Sequence, residues 1–147
     1  MKQHSILTGV IGSDAHIVGE WTMRHSLREA GFKVISLGAL VSQEEFVKAA
    51  VETNADAILV SSIYGQGRID CVGFRDKLVE AGISDILLYI GGNLAIGDYD
   101  VAAVTAEFIQ MGFNRAYPAT TMPQTAIDDL KRDLGITSEG AAAALGG

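Results

Sequence analysis

The chain has 147 residues, 48% of them hydrophobic, and a net charge of −7. That length supports one domain with a sizeable core, and the acidic balance argues against sequence-independent binding to nucleic acid. The apolar runs fall far short of the ~20 residues a membrane-spanning helix needs, and Met1-Lys2-Gln3-His4-Ser5 lacks the layout of a signal peptide. One cysteine, Cys71, excludes an internal disulfide framework and fits a reducing cytoplasm.

Five apolar runs alternate with amphipathic segments. The runs cover residues 6–11, 32–37, 57–60 and 86–90, with a weak fifth at 115–117. The first four are nearly continuous and rich in β-branched residues or leucine, as expected of strands buried on both faces. Between them, residues 20–30 predict a helix with Gly19, Met23, Leu27 and Ala30 on one face, ending before Gly31. Ser42-Gln43-Glu44-Glu45 reads as a capping box. Phe46, Val47, Ala50 and Val51 then form the apolar stripe of a second helix. A third helix carries Cys71, Phe74, Leu78 and Ala81 on one face and stops at Gly82. A fourth carries Val101, Val104, Phe108 and Met111 and stops at Gly112. A fifth carries Ile127, Leu130 and Leu134 and stops at Gly135.

This alternation predicts an α/β fold with a parallel sheet. Five strands and five helices fit the flavodoxin-like doubly wound order 2-1-3-4-5, whose ligands bind beyond the carboxyl ends of the strands where the order reverses. Residues 1–137 form one domain on this reading. The tail 138–147, four alanines among glycines, has no apolar period and is expected to fray.

Three loops after strands carry the chemistry: Asp14-Ala15-His16-Ile17-Val18-Gly19, Ser61-Ser62-Ile63-Tyr64-Gly65-Gln66-Gly67 and Gly91-Gly92-Asn93-Leu94-Ala95-Ile96-Gly97. A carboxylate two residues from an imidazole is the pairing that orients a metal-ligating histidine: it accepts the hydrogen bond of one ring nitrogen and leaves the other as ligand. Alone, His16 reads as a polar loop residue and Gly91-Gly92 as an ordinary turn. The third strand's end and the first strand's loop meet in one crevice of the expected fold, which raises both.

The combination Asp14-x-His16-x-x-Gly19, Ser61-x-Ile63 and Gly91-Gly92 resembles the cobalamin-binding domain family. The gaps fit, with 41 residues between Gly19 and Ser61 and 27 between Ile63 and Gly91. Ile63 stands where the family usually has leucine, a small apolar exchange. The runs Val10-Ile11-Gly12-Ser13-Asp14, Ala55-Asp56-Ala57-Ile58-Leu59-Val60-Ser61-Ser62, Tyr64-Gly65-Gln66-Gly67, Ile69-Asp70-Cys71 and Leu88-Tyr89-Ile90-Gly91-Gly92-Asn93 further resemble the small subunits of glutamate (methylaspartate) mutases. The likeness spans about residues 5–136.

The resemblance implies that His16 replaces the dimethylbenzimidazole of adenosylcobalamin as the lower axial ligand of cobalt, with Asp14 on its other nitrogen. Ser13, Ala15 and Ile17 would flank it. The displaced nucleotide tail would run down a slot between the sheet and the first helix. Ser61, Ser62, Ile63 and Tyr64 would line that slot, Gly91 and Gly92 would give it clearance, and Asn93, Leu94, Ala95, Ile96 and Gly97 would lie beside it. Tyr117 and Thr121, around Pro118, would border the same edge. The implied activity is the radical interconversion of L-glutamate and threo-3-methylaspartate, shared with a large barrel subunit in a heterotetramer of two small and two large chains. The loops 61–67, 91–97 and 118–123 would form the contact rim.

Two rival readings are a corrinoid carrier for methyl transfer and a sensor module. Both usually need appended domains, and the chain opens directly on its first strand. A related mutase acting on another substrate is a third. The loop 12–19 is expected to be mobile without cofactor. Cys71 reads as a buried thiol and Trp21 and His25 as surface residues, while His4 has no evident role. No Gly-x-Gly-x-x-Gly supports a dinucleotide site.

Overall fold

Strands β1 (Ser5–Val10), β2 (Lys33–Ser36), β3 (Ala57–Ser62), β4 (Leu87–Gly92) and β5 (Arg115–Pro118) form one parallel sheet in the order β2-β1-β3-β4-β5. This computed structural model describes residues 3–12, 18–62, 67–92, 100–119 and 121–136. The order is the one expected from the alternating pattern. The expectations for the tail and for the mobility of the loop at 13–17 lie outside the described residues.

Period two divides the sheet's side chains between two helical layers. Leu7, Ile58, Val60, Leu88 and Ile90 pack with Phe46 and Ala50 of α2 (Gln43–Thr53), Phe74 and Leu78 of α4 (Phe74–Glu80), and Val104 and Phe108 of α5 (Val101–Gln110). Ile6, Ala57, Leu59 and Tyr89 pack with Leu27 of α1 (Val18–Glu29) and with Ile127 and Leu130 of α6 (Pro123–Asp133). The second layer therefore has only two helices over five strands.

Ser42 closes the expected capping box with Glu45 at the start of α2. The expected third helix is two pieces, α3 (Gly67–Asp70) and α4, so the chain has six described helices. The break falls at Gly73, whose φ of 77° is left-handed and ends any helical run there. Cys71 sits in the intervening turn, fully buried, and burial pushes its thiol pKa well up. Val51 and Val101, assigned to apolar stripes, are exposed. Helix α1 starts earlier than expected, so Gly19 is helical. Strands β3 and β4 run further, so Ser61, Ser62, Gly91 and Gly92 belong to strands and not to the loops after them. Among the described residues no helix is long and apolar enough to cross a membrane.

Candidate functional site: a cleft at the carboxyl ends of the strands

The pairing register carries one row of residues straight across the sheet: Ser61 of β3 lies opposite Gly91 of β4, and Gly91 opposite Tyr117 of β5. Alternation points all three toward the α1–α6 layer. Two residues back, Leu59, Tyr89 and Arg115 make the next row on the same face. Above these rows is a cleft of about 420 Å³, within the range of small-molecule sites. Ser61, Gly91, Leu59 and Tyr89 form its floor. Thr22 and Met23 of α1 form one wall, and Pro123 and Ala126 of α6 the other. Pro118, Thr121 and Met122 lie at its mouth.

Gly91 and Gly92 serve different ends. At Gly92, φ is +120° and a Cβ would overlap the Ser62 carbonyl oxygen, so the backbone itself requires glycine. At Gly91 a Cβ would meet nothing nearer than 3.8 Å, from Tyr117. The protein's own packing does not demand glycine there. The missing side chain instead leaves room in the cleft.

The floor is kept apolar by polar partners behind it. Tyr117 donates its hydroxyl to Asp129 of α6 at 2.7 Å, and Tyr89 donates its own to Asp133. The two rings meet edge-on at 67°, 5.9 Å apart. Arg115 donates to both oxygens of Asp133, at 2.8 and 3.0 Å, and lies 3.6 Å from Asp129. Burial, with the hydrogen bond to a neighbouring carboxylate second, raises both tyrosine pKa values, so both hydroxyls stay protonated donors at neutral pH. Their rings, not their hydroxyls, are left to the cleft.

Of the residues singled out in the sequence, the structure gathers Ser61, Gly91, Gly92, Tyr117 and Thr121 around this cleft. Ser62 is buried, but by alternation it faces the opposite helical layer and does not line the cleft. Gly19 lies in the first turn of α1. Ser13, Asp14, Ala15, His16, Ile17, Ile63, Tyr64, Asn93, Leu94, Ala95, Ile96 and Gly97 lie outside the described residues. The loops holding them leave from the carboxyl ends of β1, β3 and β4, at the edge where the cleft opens. Sequence reading missed α6 as the second wall, and it missed Met23, Leu59 and Tyr89 as lining. The two strand residues could have been found by stepping back two positions from Ser61 and Gly91; the α6 contacts had no such signal. Trp21 and His25 stack in parallel, 5.5 Å apart, on the exposed side of α1.

The pair behind the floor has a pH signature. Asp133 is held below the usual carboxylate range, chiefly by the hydrogen bond from Arg115. A carboxylate depressed in the folded state stabilises the protein above its unfolded value, about 3.9 for aspartate, and loses that contribution as pH falls through the folded value. Denaturant titrations from pH 7 down to pH 3 should show wild type more stable than Asp133→Asn at neutral pH, with the gap closing in acid. A pH-independent gap would contradict the role given to this pair.

Residues 4–110 match the B12 binding domain family. The chain is 54% identical over 136 residues to the glutamate mutase sigma subunit of Carboxydothermus hydrogenoformans, covering 92% of this chain and 99% of that protein. It is 50% identical, with the same coverage, to the glutamate mutase sigma subunit of Clostridium tetanomorphum. Among solved structures, a cobalamin-binding protein from Desulfitobacterium hafniense superposes with a TM-score of 0.73 at 20% identity, over 90% of this chain and 60% of that one. The monomethylamine corrinoid protein of Methanosarcina barkeri gives 0.66 at 21% identity, over 85% and 57%. The chain thus spans under two thirds of these two solved proteins, and at such identities they establish the fold. The family match and the identities near one half establish more: this chain belongs to the B12 binding domain family and, within it, to the glutamate mutase sigma subunits.

Proposed function

We propose that the chain is the cobalamin-binding small subunit of a glutamate mutase, and that the cleft between α1 and α6 receives the cofactor's nucleotide tail. The observation that carries this reading is the unfilled space over the row Ser61–Gly91–Tyr117. A flat heterocycle fits between an apolar floor and two helices, and the Ser61 hydroxyl is placed to donate to a buried ring nitrogen. Gly91 supplies the clearance.

The cofactor in this reading is adenosylcobalamin, whose chemistry is homolysis of its cobalt–carbon bond, the start of the rearrangement of L-glutamate to threo-3-methylaspartate. His16 would hold the cofactor by offering one imidazole nitrogen to its cobalt. Asp14 would accept a hydrogen bond from the N–H of the other ring nitrogen and so hold the imidazole in the ligating tautomer. Ser13, Ala15 and Ile17 would flank this ligand, and Asn93, Leu94, Ala95, Ile96 and Gly97 would border the tail with Ile63 and Tyr64.

The substrate site belongs to a larger partner subunit, in an assembly of two small and two large chains. Apolar side chains stand exposed around the carboxyl edge, among them Met122, Ile69 and Leu40, and Leu40 is held at a left-handed φ of 60°. Exposed apolar side chains gathered at one edge suit an interface. A partner seated there would close the reacting face from water.

Three outcomes test this reading. Gly91→Val should fold as wild type does, because a Cβ has room, yet bind cobalamin weakly in an absorption titration; unchanged affinity would remove the tail from this cleft. Cob(II)alamin bound to protein labelled with nitrogen-15 histidine should show an altered nitrogen coupling in its electron paramagnetic resonance spectrum, and His16→Gly should abolish that coupling. A coupling that survives the substitution would free His16 of the axial role. The purified chain with adenosylcobalamin and glutamate should form no methylaspartate until a large subunit is added; turnover by the chain alone would refute the division of labour.

A further inference from the structure

Beneath the first turn of α1 lies a charged side chain that neither the sequence pattern nor the family resemblance marks. Glu20 is 1% exposed. Its Oε1 accepts two hydrogen bonds of 2.7 Å, one from the hydroxyl of Thr8 on β1 and one from the hydroxyl of Ser36 on β2. Ser36 and Thr8 are partners in the β1–β2 register. Ser36 in turn accepts from the Gly38 amide at 3.2 Å. The second oxygen, Oε2, is buried, accepts no hydrogen bond among the described residues and pairs with the Arg24 guanidinium 3.6 Å away. A buried carboxylate held by two hydroxyls and one ion pair is an expensive way to attach a helix, since an apolar side chain would pack there without the desolvation penalty. Such a group calls for a reason beyond stability.

Its place in the fold supplies one. Ser36 and Thr8 belong to the same sheet row as Leu59, Tyr89 and Arg115, which continues into the floor of the cleft. Glu20 ties α1 down at the β2–β1 end of that row. Two and three residues on, Thr22 and Met23 form the wall of the cleft facing β3 and β4. One residue before Glu20 is Gly19, the last position of the Asp14-x-His16-x-x-Gly19 motif. The anchor therefore lies within one turn of the cleft wall.

We propose that Glu20 is a positioning residue for cobalamin: its two hydroxyl contacts hold the first turn of α1 at the spacing the nucleotide tail requires. The proposal rests on the tail-in-cleft reading above. Glutamine keeps the accepting oxygen, so Glu20→Gln preserves the tie, whereas Glu20→Ala removes it and lets the wall move.

The test compares two corrinoid probes, cobalamin and cobinamide, which lacks the nucleotide tail. Absorption titrations give the ratio of their dissociation constants for each variant, and thermal melts confirm that each is folded at the assay temperature. Wild type should prefer cobalamin. Glu20→Ala should lower that preference by about tenfold, the net worth of about one hydrogen bond, chiefly by weakening cobalamin, and Glu20→Gln should restore it. A purely structural role would lower the melting temperature and leave the ratio where it was. An unchanged ratio in folded Glu20→Ala overturns the proposal. If that variant does not fold, Ser36→Ala, which removes one of the two donors, decides: a reduced ratio supports the tie and an unchanged one overturns it. A wild-type chain with no preference for cobalamin would overturn the tail-in-cleft reading, and this proposal with it.

Discussion

The site depends on the pairing of β3 with β4. Six residues of each strand run in parallel register, from Ala57 opposite Leu87 to Ser62 opposite Gly92. Because strand side chains alternate faces, this register decides what the α1–α6 layer meets: Ser61 and Gly91, with Leu59 and Tyr89 behind them. A slip of β4 by one residue would turn Ile90 to that face. Its branched side chain would fill the space that Gly91 leaves open. The same register brings Ser62 under Gly92, where only a residue without Cβ can pass the Ser62 carbonyl.

A cleft of this size in so small a domain needs walls that do not collapse into it. Each wall is held from outside by polar contacts. Asp129 and Asp133 fasten α6 to Tyr117, Tyr89 and Arg115 on β4 and β5. Glu20 fastens α1 to Thr8 and Ser36 on β1 and β2, at the other end of the same face. Apolar packing has no direction and would close the gap; hydrogen bonds with fixed geometry hold the helices at set distances. The hydroxyls of Tyr89 and Tyr117 and the Arg115 guanidinium are thereby used up away from the cleft, and beside Ser61 its floor keeps rings and aliphatic chains.

Function and fold separate along the sheet. At the amino ends of the strands the helices are packed against continuous apolar layers. At the carboxyl ends the strands finish in Ser61-Ser62, Gly91-Gly92 and Tyr117-Pro118, residues that leave space or end pairing. All five strands are parallel, so these endings gather at one edge, where β1 also ends.

Much of this could be read from residues in order. Continuous apolar runs separated by helical stripes imply a doubly wound parallel sheet, since such strands must be covered on both faces. The resemblance of Asp14, His16 and Gly19 with Ser61 and Gly91-Gly92 to the cobalamin-binding family pointed to cobalamin, because that likeness lies in local motifs. What local pattern could not show was which neighbours face one another. Ser62 looked equal to Ser61 until alternation put it on the other face. The helix expected around Cys71 broke at Gly73, where a left-handed backbone overrode a good apolar stripe. The α6 wall and Glu20 entered the site only through contacts across 12 and 16 residues of chain. Periodicity is a property of neighbours in sequence and determined the elements; the walls of the cleft and their anchors are pairs distant in sequence, and only the tertiary packing of α1 and α6 on the sheet decided them.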